Sequence, residues 1–381
     1  MHSNVNKMWL MSAASLATVT SYVNADGDTA QMRNMENRLS ALEQKKGAGG
    51  VINPSGRPET IDGWDFFITA DVLLWQAHEG GLGFAIESKQ NNIHTPLDHS
   101  HVENVHFDYD WGFRLGAGYN MAHDGWDLYA NWTRINMHSH NHEHNEIGEN
   151  FLWPVWIHPS NEVAEQTTAE KADAHWRMHL NIIDLELGRE FFTSKWLTLR
   201  PHVGLRTAWI NQHYDVDYEG ITQLLTDETE DFLGKADIHM RNKYWGLGPR
   251  FGFDTQWGLG SGWSIFGNVA FSLLYGYFNT HFHEKGDNKY AVDPLDASYA
   301  HLHNSFRQST AITDLQLGLR WDHMFSKERY HFGIQAGWEH HMFFSQNQLT
   351  RFVAGGGHGN FILNQGDLTT QGWTLSARFG F

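Results

Sequence analysis

Tyr109-Asp-Trp-Gly-Phe-Arg-Leu-Gly-Ala-Gly-Tyr-Asn-Met121 sets an apolar or aromatic side chain at every odd position and a charged residue, glycine or amide at every even one. Successive side chains of a β-strand point to opposite faces, so this stretch has one apolar face and one polar face. Such a strand suits lipid on one side and water on the other. The same two-residue period recurs in Leu197, Leu199, Val203, Leu205 and Trp209 against Arg200, His202, Gly204 and Arg206. It recurs again in Trp245, Leu247, Phe251, Phe253 and Trp257 against Gly246, Gly248, Arg250, Gly252 and Asp254.

Working outward, the pattern repeats from Trp64 to the C-terminus. Short connections at 122–125, 190–195, 258–262 and 326–328 alternate with long ones near 77–107, 136–174, 212–241, 280–307 and 346–366. Outer-membrane barrels place short turns in the periplasm and long loops outside. The segments between them number ten: 64–76, 108–121, 126–135, 178–190, 196–210, 243–257, 263–278, 310–323, 329–344 and 367–381. The sequence therefore predicts an all-β transmembrane antiparallel barrel of about ten strands. Leu82–Ser88 also reads as strand-like; it is placed inside the first long loop, with twelve strands as the alternative. Aromatics at segment ends, among them Trp132, Trp209, Trp257, Trp263, Tyr275, Tyr277 and Trp373, fit the two girdles at the membrane surfaces.

Composition agrees with this reading. The 381 residues include 14% aromatics, 37 Gly, only 8 Pro and no Cys, and the formal charge is −17. No stretch beyond the N-terminus approaches the ~20 apolar residues of a membrane-spanning helix. A nucleic-acid partner is excluded, because phosphate-backbone binding needs clustered Lys and Arg. Residues 1–25 read as a signal peptide: Lys7, then a mostly apolar run to Val23, then Val23-Asn24-Ala25 as a cleavage site. The partners expected of an exported barrel are outer-membrane lipid, lipopolysaccharide among it, and the barrel-assembly machinery.

Within 26–46, Met32, Met35, Leu39 and Leu42 form a short a/d seam. It predicts a periplasmic helix able to associate as a coiled coil, so residues 29–46 offer a route to a homo-oligomer. Residues 47–63 read as a linker, and 64–381 as the barrel. The closing strand alternates Trp373, Leu375, Ala377, Phe379 and Phe381 with Thr374, Ser376, Arg378 and Gly380. A terminal ladder ending on Phe381 reads as the assembly signal.

Strand parity assigns to the lumen Asp110, Arg114, Asp127, Asp184, Glu186, Arg200, Arg206, Arg250, Asp254, Asp314, Arg320, Asp322, Glu339 and Arg378. Charges on the lipid face cost a few kcal/mol each at mid-bilayer, so a charged set of both signs belongs inside. It reads either as a water-filled path filtering ions or as a lumen closed by paired charges. The set holds eight acids and six arginines, which predicts weak cation preference, reinforced by acidic loops.

Histidine numbers 26, and His138, His140, His142 and His144 stand two apart, on one face of an extended chain. That spacing suits a borderline divalent metal, and pH-titrating polar filler is the alternative. Asp98, His99, His101, Asp108, His340 and His341 fall near the outer rim, but with this much His and Asp such proximity arises by chance. No catalytic residue and no cofactor is assigned.

Several blocks carry a resemblance. Phe67-Ile-Thr-Ala-Asp-Val-Leu-Leu-Trp-Gln-Ala77, Trp111-Gly-Phe-Arg-Leu-Gly-Ala-Gly-Tyr-Asn120, Gly125-Trp-Asp-Leu-Tyr129, Trp245-Gly-Leu-Gly-Pro-Arg250, Leu317-Gly-Leu-Arg-Trp321 and Ala336-Gly-Trp-Glu339 resemble the Legionella and chlamydia-related family of pore-forming major-outer-membrane-like proteins. The resemblance covers about 64–381 outside the loops. It implies a barrel for passive diffusion of small ions and solutes. Chlamydial relatives are cysteine-rich and cross-linked, and this chain has no cysteine. A structural barrel or an adhesin acting through acidic, His-rich surface loops is the alternative.

Overall fold

The computed structural model describes residues 53–58, 60, 63–88, 100–121, 125–144, 151–158, 167–223, 234–286, 297–352 and 361–381. The signal peptide and the helix expected at 29–46 lie outside the described residues.

Ten long strands close into one antiparallel barrel: β1 Phe66–Glu79, β2 Tyr109–Asn120, β3 Trp126–His144, β4 Lys171–Arg189, β5 Leu197–Gln223, β6 Gly234–Gly260, β7 Trp263–Gly286, β8 Ala297–Phe325, β9 Tyr330–Phe343 and β10 Leu368–Gly380. Each pairs with its chain neighbours, and β1 pairs with β10 to seal the cylinder. Closure leaves no long unpaired edge, the condition for placing strands in lipid. Cross-strand partners can be followed from Leu319 on β8 through Ala336, Leu375, Val72, Phe113, Arg134, Asn181, Trp209, Trp245 and Tyr277. The path returns to β8 at Arg307, twelve residues along the strand. A stagger of that size makes the strands tilt, by about 40° in barrels of this kind.

The turns at the short-loop end follow from local chemistry. Gly260, Ser261 and Gly262 have φ of 99°, 53° and 82°, a left-handed run that two glycines make accessible. Within the wall, Gly246 and Gly276 flank the Tyr244 side chain, and a Cβ would sit 2.2 Å from its hydroxyl at the first and 2.1 Å from its ring at the second. The bare backbone lets that ring lie flat inside the cylinder.

Outward-facing Trp111, Phe113, Leu115, Val203, Leu205, Phe251, Phe253, Leu315, Leu317 and Leu319 are all exposed, Trp111 at 69%. They form the apolar band that lipid covers. Above it the strands run on, and their amphipathicity inverts. On β3, Ile135 and Met137 are buried inward while His138, His140 and His142 face out; on β5, Tyr214, Val216 and Tyr218 are buried inward while Asp215 and Asp217 face out. Strands β3 to β8 therefore extend well past the ends that the lipid-facing pattern predicts, and much of what reads as long loops at 136–174, 212–241 and 280–307 is barrel wall.

The upper half of the cylinder holds an apolar core. Leu82, Phe84, Leu152, Trp156, Ile157, Leu349 and Phe352 come from connecting segments that fold inward. They pack against Trp75, Trp176, Met178, Tyr214, Tyr218, Ile238, Met240, Phe278 and Phe282 of the wall. Leu82–Ser88 does lie in the first long connection, where Ala85–Ser88 pairs with His101–Glu103 and Phe151–Pro154 in a small separate sheet.

The candidate lumen site

Below that core lies a cavity of about 230 Å³, space for several waters. Each barrel strand contributes to it from its inward-facing register. Of the predicted lumen set, Arg114, Asp127, Asp184, Glu186, Arg200, Arg206, Arg250, Asp254, Asp314, Arg320 and Arg378 line this space. Asp322 and Glu339 are buried inside the barrel as well, and Glu339 lines the cavity.

Asp110 does not join them. The pairing of β2 with β3 stops at Gly112–Ile135, and beyond it the Asp110 carboxylate accepts a hydrogen bond from the His138 backbone N–H at 2.9 Å. Asp110 still pairs with Trp75 of β1, but where β3 has left the ladder its carboxylate turns to that strand's backbone instead of the cavity.

The charges inside are joined into linked clusters. Arg114 donates to both oxygens of Glu339 at 3.0 and 2.8 Å and to Asp71 at 3.2 Å. Arg206 grips Asp184 through two bonds of 2.7 and 2.8 Å and meets Asp314 at 2.8 Å. Arg250 reaches Glu186 at 2.9 Å and also contacts Asp314. Arg200 binds Asp127 at 2.6 Å and Asp254 at 2.7 Å, and Arg320 binds Asp322 at 2.7 and 2.8 Å. His341 bridges the first two clusters, with Nδ1 2.8 Å from Asp314 and Nε2 3.0 Å from Glu339. Both ring nitrogens face a carboxylate, an arrangement that favours the doubly protonated ring, in which both donate.

Arg378 differs from the arginines of these clusters. Among the described residues it forms no ion pair, and its guanidinium sits 3.7 Å above the centre of the Phe67 ring. Eight carboxylates and seven arginines line the cavity, so its fixed charge nearly balances. Sequence parity misses Asp71 and His341. Leu73 and Trp75 on β1 point inward to the apolar core, so Val72-Leu-Leu-Trp75 reads as one apolar run and hides the alternation around Asp71.

Above the cavity the plug is pinned by hydrogen bonds. Tyr214 and Tyr218 hydroxyls donate to the Leu82 and Phe84 carbonyls at 2.6 and 2.5 Å, and the Trp156 indole donates to Gly83 at 2.8 Å. Asn242 donates to the Gln346 carbonyl at 2.7 Å. Glu79, at the top of β1 and above the lipid-facing band, accepts from Gln212 at 2.9 Å and from Trp176 at 3.0 Å. Burial pushes its pKa up to about 8, against those two hydrogen bonds. At the short-loop end of the barrel, residues 53–58, part of the stretch read as linker, cross the rim. Arg57 donates to the Trp126 and Met121 carbonyls at 2.8 and 2.9 Å.

His138, His140, His142 and His144 lie on β3 and face outward together. His142 Nδ1 contacts Asp173, and the His140 ring lies 6.2 Å from that of His175. Among the described residues no group of three or more metal-ligating side chains converges.

A family model described as Legionella pneumophila major outer membrane protein precursor matches residues 56–381. No curated protein sequence matches the chain. Solved structures similar to it include the Escherichia coli outer membrane protease OmpT, at 10% identity over 85% of this chain and 99% of that one, with a TM-score of 0.38. A Pseudomonas aeruginosa FadL homologue aligns at 9% identity over 88% and 96%, with a TM-score of 0.28. The Pseudomonas putida toluene transporter TodX aligns at 8% over 86% and 91%, with a TM-score of 0.26.

Proposed function

The chain belongs to the Legionella pneumophila major outer membrane protein precursor family, and on that premise we propose that this outer-membrane barrel is a gated pore for small ions and solutes. One observation carries the reading: the membrane-level half of the lumen is a polar cavity lined by charges of both signs rather than a packed apolar core. Ion pairs arranged along a narrow path can exchange partners with a passing ion, which offsets part of its lost hydration. Arg378, held over Phe67, is a charge along that path that no carboxylate pairs among the described residues. The gate is the inward-folded set of segments above, around Leu82–Phe84, Trp156 and Leu349, whose displacement would join the cavity to the exterior.

Because the cavity charges nearly balance, ion preference arises chiefly from the acidic exterior. The expected preference is weakly cationic at low salt and fades as salt rises, since exposed charges are screened over ~10 Å at 0.1 M. Purified protein in a planar bilayer is expected to give discrete, intermittent conductance, with a reversal potential favouring cations at low salt. Absence of conductance across preparations would overturn the pore. It would leave the reading that the apolar plug favours, a closed structural barrel presenting a surface.

A further inference from the structure

The arginines on the cavity wall are paired with carboxylates, Arg57 and Arg378 excepted, but on the outer wall just above the lipid-facing band the opposite holds. On β5, β6 and β7 the register stacks three rows. Trp209, Trp245 and Tyr277 are direct cross-strand neighbours; above them lie Asn211, Lys243 and Asn279; above those, His213, Arg241 and His281. All nine face outward, and Trp209, Trp245 and Tyr277 are 36–46% exposed. Neither Lys243 nor Arg241 has a hydrogen-bond or ion-pair partner among the described residues. No carboxylate stands in these rows. The nearest outward one along β5, Asp215, is engaged by Arg177 at 2.8 Å and by His239 at 2.9 Å.

From these rows we infer that the outer face of β5–β7 docks a phosphorylated glycolipid of the outer leaflet, its phosphates on Lys243 and Arg241 and its acyl chains against Trp209, Trp245 and Tyr277. The vertical order matches an amphiphile: rings at the edge of the hydrocarbon, amides and an ammonium at the headgroup, a guanidinium between imidazoles above. Alternate residues of a strand stand ~7 Å apart, and the long side chains of Lys243 and Arg241 can spread from there to separate phosphate groups. A guanidinium meets a phosphate through two parallel bonds, while an ammonium acts as a point charge. Burial first, then Arg241 and Arg177, holds His213 below the ordinary imidazole range, a sign that cation density is concentrated here. Outward Arg177 on β4, opposite His213, and Arg307 on β8, opposite Tyr277, flank the patch. At the same level β9, β10 and β1 present His340, Gln371 and Gln76, with no lysine or arginine. This inference rests on the outer-membrane location and not on whether the lumen conducts.

The test uses the folded full-length barrel in detergent, with bisphosphorylated lipid A, its dephosphorylated form and inorganic phosphate as probes in native mass spectrometry. Retention of the bisphosphorylated form is expected to fall at least ~10-fold in R241Q/K243Q, since both charge-assisted phosphate contacts are lost. Heat-modifiable gel mobility reports that the variant is folded. In the wild-type protein, lipid A is expected to protect Lys243, but not Lys235, from chemical acetylation, a readout that needs no variant. Equal retention by the double variant, unprotected Lys243, or equal binding of the dephosphorylated form would overturn the inference. Displacement of lipid A by millimolar inorganic phosphate would reduce the patch to a general anion site and overturn the lipid assignment.

Discussion

Glu79 closes β1 inside the upper barrel, 3% exposed, with Gln212 and Trp176 donating to it. Its folded-state pKa of about 8 lies above the ordinary 4.5, so the fold favours the protonated form. The stability it contributes is fully present below about pH 4.5 and is lost as pH rises toward 8. The barrel's resistance to denaturant is therefore expected to decline across that window, and E79Q is expected to flatten the decline; equal slopes in the two proteins would refute the assignment. Lumen arginines divide by partner. Removing Arg206 leaves Asp184 and Asp314 short of a buried counter-charge, and R206Q is expected to cost about 3–5 kcal/mol in unfolding experiments. Arg378 leaves no carboxylate behind. R378Q is expected to cost ~1 kcal/mol, the scale of its cation–π contact, and to shift reversal potential toward cations. A large stability loss with unchanged selectivity would remove Arg378 from the path.

At the scale of elements, each of strands β3 to β8 is written for two solvents. Near the periplasm it turns apolar residues out to lipid; beyond the outer aromatics it turns His, Asp, Lys and Arg out to water and apolar residues in. The inward residues then need a partner, and Phe84, Trp156 and Leu349 supply it. The plug is held by burial as much as by hydrogen bonds. Replacing both Trp156 and Phe84 with alanine removes side chains that are 1% and 0% exposed. Each such truncation costs ~3–5 kcal/mol of packing, so the double variant is expected to raise open probability in bilayer recordings. Unchanged gating in a folded variant would show that these segments do not form the gate.

The whole molecule depends on one closing seam, β1 against β10, in which Phe67 pairs with Gly380 and the Phe381 N–H donates to the Phe66 carbonyl at 3.0 Å. Phe379 stacks near Phe381, Phe325 and Tyr330, so the chain end joins an aromatic cluster at the periplasmic rim. Deleting Phe381 is expected to lower the yield of heat-modifiable barrel in the outer membrane several-fold. Full assembly of the truncated chain would exclude a terminal signal at this residue.

Strand number and the inward register of the arginines were legible in the sequence, because lipid imposes a strict two-residue period and forbids charge on one face. Tyr109 to Met121 alone carries that rule. Above the lipid the rule lapses: water is tolerant of Asp215, His140 or Lys243 on the outer wall, so alternation there resembles an ordinary polar loop. Where Leu82, Phe84 and Trp156 would go was equally hidden, since a connecting segment's apolar residues do not say which cavity they fill. Nor does parity tell Arg206, locked to Asp184, from Arg378, which lies over Phe67. Pairing across strands is set by the stagger with which the barrel closes, a property of the assembled cylinder and of no single strand.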